Sequence, residues 1–104
     1  MERINFKSGR IVYNEFFIDF TKTYLEQVDC LLEDLLQVEF PENYLLDVGW
    51  YPEYNSEGEF IVQVIKDYNW EIPIYKRNCK NKETLTQSLK KAIGVIENII
   101  GENK

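Results

Sequence analysis

The sequence predicts a two-layer α+β domain: a long N-terminal helix, a three-stranded antiparallel meander and a C-terminal helix. Three patterns lead there. Apolar residues between Asn14 and Gln37 recur at three- and four-residue spacing. The middle of the chain holds short alternating or β-branched runs separated by turn residues. A second helical stripe follows Asn81. The 104 residues suffice for one core, so residues 1–104 read as a single domain. A hydrophobic share of 44% and an aromatic share of 14% mark a chain that can bury enough surface to fold.

The first helix is expected to start at Asn14, a residue suited to capping, with Glu15 and Asp19 near the positive end of the helix dipole. Phe17, Phe20, Tyr24, Val28, Leu31 and Leu35 form its stripe, widened by Leu25, Leu32 and Leu36, and Pro41 forces an end near Gln37 to Glu39. Upstream, Ile4, Phe6 and the Ile11-Val12-Tyr13 run fit either a short strand pair around Ser8-Gly9 or a lead-in segment.

Three strands are expected next. Leu46, Val48 and Trp50 alternate with Asp47 and Gly49, and Pro52 closes the run. Asn55-Ser56-Glu57-Gly58-Glu59 reads as a hairpin turn. Phe60 to Ile65 is the strongest strand, β-branched and apolar on both faces, which suits a central position. Trp70 to Lys76 reads as a third strand at an edge, because Pro73 cannot donate to a ladder. The second helix follows, with Asn81 as its cap and Leu85, Leu89, Ile93, Ile96 and Ile100 as its stripe.

Charge is unevenly distributed. The net charge is −6, yet residues 29–71 carry eleven acids against the single base Lys66, while residues 72–104 carry seven bases against three acids. Such a central segment repels polyphosphate, which disfavours direct nucleic-acid binding and favours a basic protein partner; a solvated acidic surface is the plainer alternative. The N-terminal stretch has no uninterrupted apolar core of the kind a secretory signal needs, and no run approaches the ~18 apolar residues of a membrane span. Cys30 and Cys79 read as free thiols in a reducing cytoplasm.

Catalytic chemistry has little to stand on. The chain has no histidine, no glycine-rich phosphate loop and no CxxC spacing, so no cofactor and no metal are expected. Asp47, Glu53, Asp67 and Glu71 are the carboxylates available for an acid/base pair, but eighteen acids in a small chain place several together by chance. The expectation is a binding protein and not an enzyme.

Leu46 to Pro73 is the segment with most individuality. Aromatic rings flanked by carboxylates suit a surface that grips a cationic protein, the rings as anchors and the acids for steering. The candidate partner-binding residues are Asp47, Trp50, Tyr51, Glu53, Tyr54, Glu57, Glu59, Asp67, Trp70 and Glu71. For the two tryptophans a core position is the commoner fate. For Glu53, Tyr54, Glu57 and Glu59, beside an exposed turn, partner binding is the stronger reading.

The arrangement of Asp47, Gly49, Trp50, Tyr51, Pro52, Glu53, Gly58, Asp67, Trp70, Glu71 and Pro73 resembles small immunity proteins of bacterial polymorphic-toxin and contact-dependent growth inhibition systems. The resemblance covers about a third of the chain. It implies a cytoplasmic antidote that binds the C-terminal toxin domain of its own system, often a nuclease with a basic cleft that an acidic protein can occlude. The rival readings are a different interaction adaptor, a homodimer joined through apolar helix faces, and a carboxylate-based hydrolase.

Overall fold

Five strands lie in one sheet in chain order, each antiparallel to the next: β1 (Arg10–Asn14), β2 (Leu36–Phe40), β3 (Tyr44–Tyr51), β4 (Glu59–Lys66) and β5 (Tyr75–Cys79). One helix, α1 (Lys82–Glu102), follows. The structure is a computed structural model that describes residues 3–102.

This corrects the expected architecture. Among the described residues there is no long N-terminal helix, and the sheet has five strands where a three-stranded meander was expected. The stretch from Asn14 to Leu35 leaves β1, turns, passes through a 3-10 segment at Leu25–Cys30 and runs extended into β2. Its own polar side chains explain why no helix forms. The Asn14 carboxamide accepts from the Phe16 amide, Asp19 accepts from the amide and hydroxyl of Thr21, and the Thr23 hydroxyl accepts from the Glu26 amide. Each is a local turn that competes with the helical ladder. Aromatic and β-branched residues, which lose rotamer freedom in a helix, add to the preference.

The apolar residues of that stretch still find burial. Phe16, Phe20 and Tyr24 pack against the core. The Tyr24 ring sits 4.6 Å from Trp50, and Phe16 and Phe20 lie 5.9 and 6.0 Å from Phe60. Phe17 and Leu25, placed on the buried stripe by the helical reading, are among the most exposed apolar residues, at 67% and 72%.

Strand identities follow from alternation. In β2, Leu36, Val38 and Phe40 are buried while Gln37 and Glu39 are half-buried. β3 and β4 pair along their whole lengths, from Tyr44 opposite Lys66 to Tyr51 opposite Glu59. The last strand lies later than expected: Tyr75–Cys79 pairs with β4, whereas Trp70 to Pro73 belongs to the connecting loop. Ile11-Val12-Tyr13 pairs with β2, and a bulge interrupts that register between Ile11 and Tyr13.

α1 caps as its chemistry suggests: the Asn81 side chain accepts from the Thr84 amide at 2.9 Å. Leu85, Leu89, Ala92, Ile93, Ile96 and Ile100 bury against one face of the sheet. That face supplies Val38, Leu46, Val48, Trp50, Phe60, Val62 and Val64. Each fully buried leucine, isoleucine or valine adds about 1.5–3 kcal/mol of transfer free energy. The helix contacts β3, β4 and β5, while Ile4, Phe6 and Phe16 join the core beside it. The opposite face of the sheet carries no helix.

Candidate functional site

By the pleat, residues between the core positions point to the helix-free face. Gln37, Asp47, Gln63 and Lys76 form one cross-strand row there, and Glu39 and Leu45 form the next. Gly49 lies beside them on β3, and it carries no side chain for a specific reason. A Cβ at Gly49 would sit 1.9 Å from the Glu33 carbonyl oxygen. The chain at Glu33-Asp34 therefore runs beside β3 and bulges across Gly49 on this face. It is held there by the Leu35 amide donating to the Val48 carbonyl at 3.0 Å and by the Trp50 amide donating to the Leu32 carbonyl at 2.8 Å.

This crossing brings distant carboxylates together. The Glu33 amide donates to Oε1 of Glu53 at 3.1 Å, so the residue after Pro52 is tied to the loop before β2. Tyr51 lies among them. Burial first, and then Asp47, Asp34, Glu33 and Glu53, push its phenol above the ordinary value of 10.0. Tyr13 on β1 shares two of these neighbours: burial, then Glu15, Asp34 and Glu53, raise its phenol as well. Among the described residues, the charged groups acting on the two phenols are all carboxylates. Glu15, Glu33, Asp34, Asp47 and Glu53 thus form an acidic face around Tyr13 and Tyr51. Among the described residues no three acids or thiols converge closely enough to hold a metal ion.

Asp47 differs from the rest. It is only 2% exposed and accepts a hydrogen bond from Nε2 of Gln37 at 3.0 Å. Burial raises its carboxyl above the ordinary 3.8, the Gln37 bond pulls it down, and Asp34 pushes it up again. A carboxyl with a raised pKa beside a phenol is a conventional sign of proton-transfer chemistry. Here the group is buried beneath its neighbours. Cys79 is buried too, and burial raises its thiol, which keeps it in the unreactive neutral form.

The ten expected site residues separate into three places. Asp47, Tyr51 and Glu53 belong to the acidic face. Tyr54, Glu57 and Glu59 lie on the adjoining β3–β4 hairpin: Tyr54 and Glu57 are exposed, and Glu59 is half-buried and bonded to the Asn78 carboxamide at 3.1 Å. Asp67, Trp70 and Glu71 sit in the loop beyond the other end of β4, roughly 23 Å away at the rise of an extended strand. Trp50 joins none of these. It is fully buried, its indole donating to the Asn55 carbonyl at 2.8 Å and its ring 4.9 Å from Phe60.

Four members of the acidic face, Tyr13, Glu15, Glu33 and Asp34, escaped the sequence reading. The segment over Gly49 brings in Glu33 and Asp34, for which a glycine between two apolar strand residues was the signal available. Pairing of β1 with β2 and the Glu15 amide bond to the Leu35 carbonyl bring in Tyr13 and Glu15. No helix of the described residues is long and apolar enough to cross a membrane. Compared with known proteins, the chain matches no protein-family model, no curated protein and no solved structure.

Proposed function

We propose that the chain is an immunity-type binder that neutralises a cationic toxin domain by covering its basic cleft, without catalysing a reaction. The observation that carries this reading is the acidic face: five carboxylates gathered around Tyr13 and Tyr51, with the loop before β2 tied to Glu53 through the Glu33 amide at 3.1 Å. Acids arranged in this way draw a basic partner in at long range, and half-exposed tyrosine rings supply rigid contact area once it arrives. The hairpin bearing Tyr54 and Glu57 borders the same face and extends it. A cytoplasmic location belongs to this proposal, because an antidote of this kind meets its toxin there.

The partner in the test is the purified toxin domain encoded by the gene directly upstream. The wild-type chain should bind it far more tightly than it binds an unrelated basic protein. Reversing Asp34 and Glu53 together to lysine should lower the association rate constant by about tenfold at low salt and flatten its salt dependence. An upstream domain bound no better than the unrelated protein would overturn the reading. An association rate unchanged by the double reversal would remove this face from the interface.

A further inference from the structure

The two edges of the sheet are built differently. β5 ends the sheet with Lys76, Arg77 and Asn78 exposed, a charged edge of the kind that discourages pairing with another strand. β1 ends it on the other side with all five residues exposed, among them Ile11 at 47%, Val12 at 44% and Tyr13 at 39%. The second edge has no charged guard at its centre.

Two further features lie beside β1. Phe17, three residues beyond the strand, is 67% exposed. Next to the strand runs a groove of about 280 Å³, lined by the apolar side chains of Ile4, Phe6, Ile11, Phe16, Ile18 and Leu36 and by the polar Asn14. An exposed ring and an open apolar groove on one short stretch of chain form a knob and a hole. A two-fold interface requires such self-complementarity, because one patch must fit its own copy. The charges agree. Arg10, which pairs at 2.9 Å with Glu39 of its own chain but stays largely exposed, opens β1 and Glu15 follows it. Antiparallel apposition of two β1 edges therefore sets that cation of each copy near a second anion, on the other copy.

We infer that β1 and the groove beside it form a homodimer interface, in which Phe17 of each copy enters the groove of the other. The bulge between Ile11 and Tyr13 shortens any shared ladder, so side-chain packing dominates over strand pairing. The contact lies at the β1 edge, away from the exposed loop of Tyr68, Trp70, Ile72 and Ile74 that follows β4. Tyr13 and Glu15 belong both to this interface and to the acidic face, so a dimer formed here would cover part of that face; the inference is nevertheless tested without any partner.

Sedimentation velocity on the full chain between about 1 and 200 µM reads the outcome, given that micromolar constants are common for modest interfaces. The wild-type chain should shift from monomer to dimer with rising concentration. Val12→Lys and Phe17→Glu, both at exposed positions, should each remain monomeric at the highest concentration with an unchanged circular dichroism spectrum and thermal midpoint. Ile72→Glu, in the distant loop, should dimerise like wild type. A wild-type chain that stays monomeric throughout overturns the inference. So does a dimer that survives both β1-edge substitutions, or one that Ile72→Glu abolishes.

Discussion

Replacing Gly49 with alanine puts a methyl group where the Glu33 carbonyl already sits. The new carbon would lie 1.9 Å from that oxygen and 2.9 Å from its carbonyl carbon, whereas ordinary contact begins at 3.4 Å, so the crossing segment must lift by about 1.5 Å. Both hydrogen bonds that fasten it, Leu35 amide to Val48 carbonyl at 3.0 Å and Trp50 amide to Leu32 carbonyl at 2.8 Å, break over such a displacement. Each contributes about 1 kcal/mol net, and a buried group left unsatisfied costs about 1–3 kcal/mol. Against this stands the ~0.5–1 kcal/mol that alanine gains over glycine in backbone entropy. Net destabilisation is expected at about 2–3 kcal/mol. With a urea slope of about 1–2 kcal/mol/M, the unfolding midpoint should fall by about 1–3 M. The same lift carries Glu33 and Asp34 away from Tyr51, so the ultraviolet titration of the tyrosines should move toward the ordinary phenol range. A variant within about 0.5 kcal/mol of wild type, against this two-bond loss, would refute the claim that the crossing is fixed by the missing side chain.

Three further outcomes rest on single residues. Gly94→Ala lies in the exposed middle of α1 with no atom within 4 Å of the added carbon, so it should stabilise by about 0.5–1 kcal/mol in the same urea assay. Asp47→Asn should change the pH dependence of stability: a carboxyl whose folded pKa is raised favours the native state below the unfolded value and loses that advantage as pH climbs through the folded one. Urea midpoints should therefore show the variant gaining on wild type from about pH 3.9 upward, the unfolded aspartate value, with a constant gap refuting the assignment. Trp50→Phe removes a fully buried indole and its bond to the Asn55 carbonyl, and should cost about 2–4 kcal/mol by thermal or urea unfolding.

The parts of the fold visible in the sequence were those decided locally. Asn81 and the stripe from Leu85 to Ile100 mark α1 because a cap and a 3.6-residue period both act within a few residues of the chain. The β-branched run from Phe60 to Ile65 marks β4 for a similar reason. Leu36-Gln37-Val38-Glu39-Phe40 carried a plain two-residue alternation, yet it also extended a three- and four-residue spacing that began at Phe17. That longer spacing reflected contacts with a sheet rather than one helical face, since Phe16, Phe20 and Tyr24 converge on Trp50 and Phe60 from turns. Burial imposes apolar residues without specifying a period when the chain is irregular. The site divided along the same line. Asp47, Tyr51 and Glu53 were legible because they stand close together in sequence, whereas Glu33 and Asp34 reach them through the crossing over Gly49 and Glu15 through the pairing of β1 with β2.

Because the strands follow one another in space as they do along the chain, the whole sheet can form from neighbouring segments as they leave the ribosome. The helix that covers Val48, Trp50, Phe60 and Val62 comes after all five strands. A sheet that forms before α1 docks therefore presents one bare apolar face, and the interval between sheet formation and helix docking is the stage at which the chain is most exposed to aggregation.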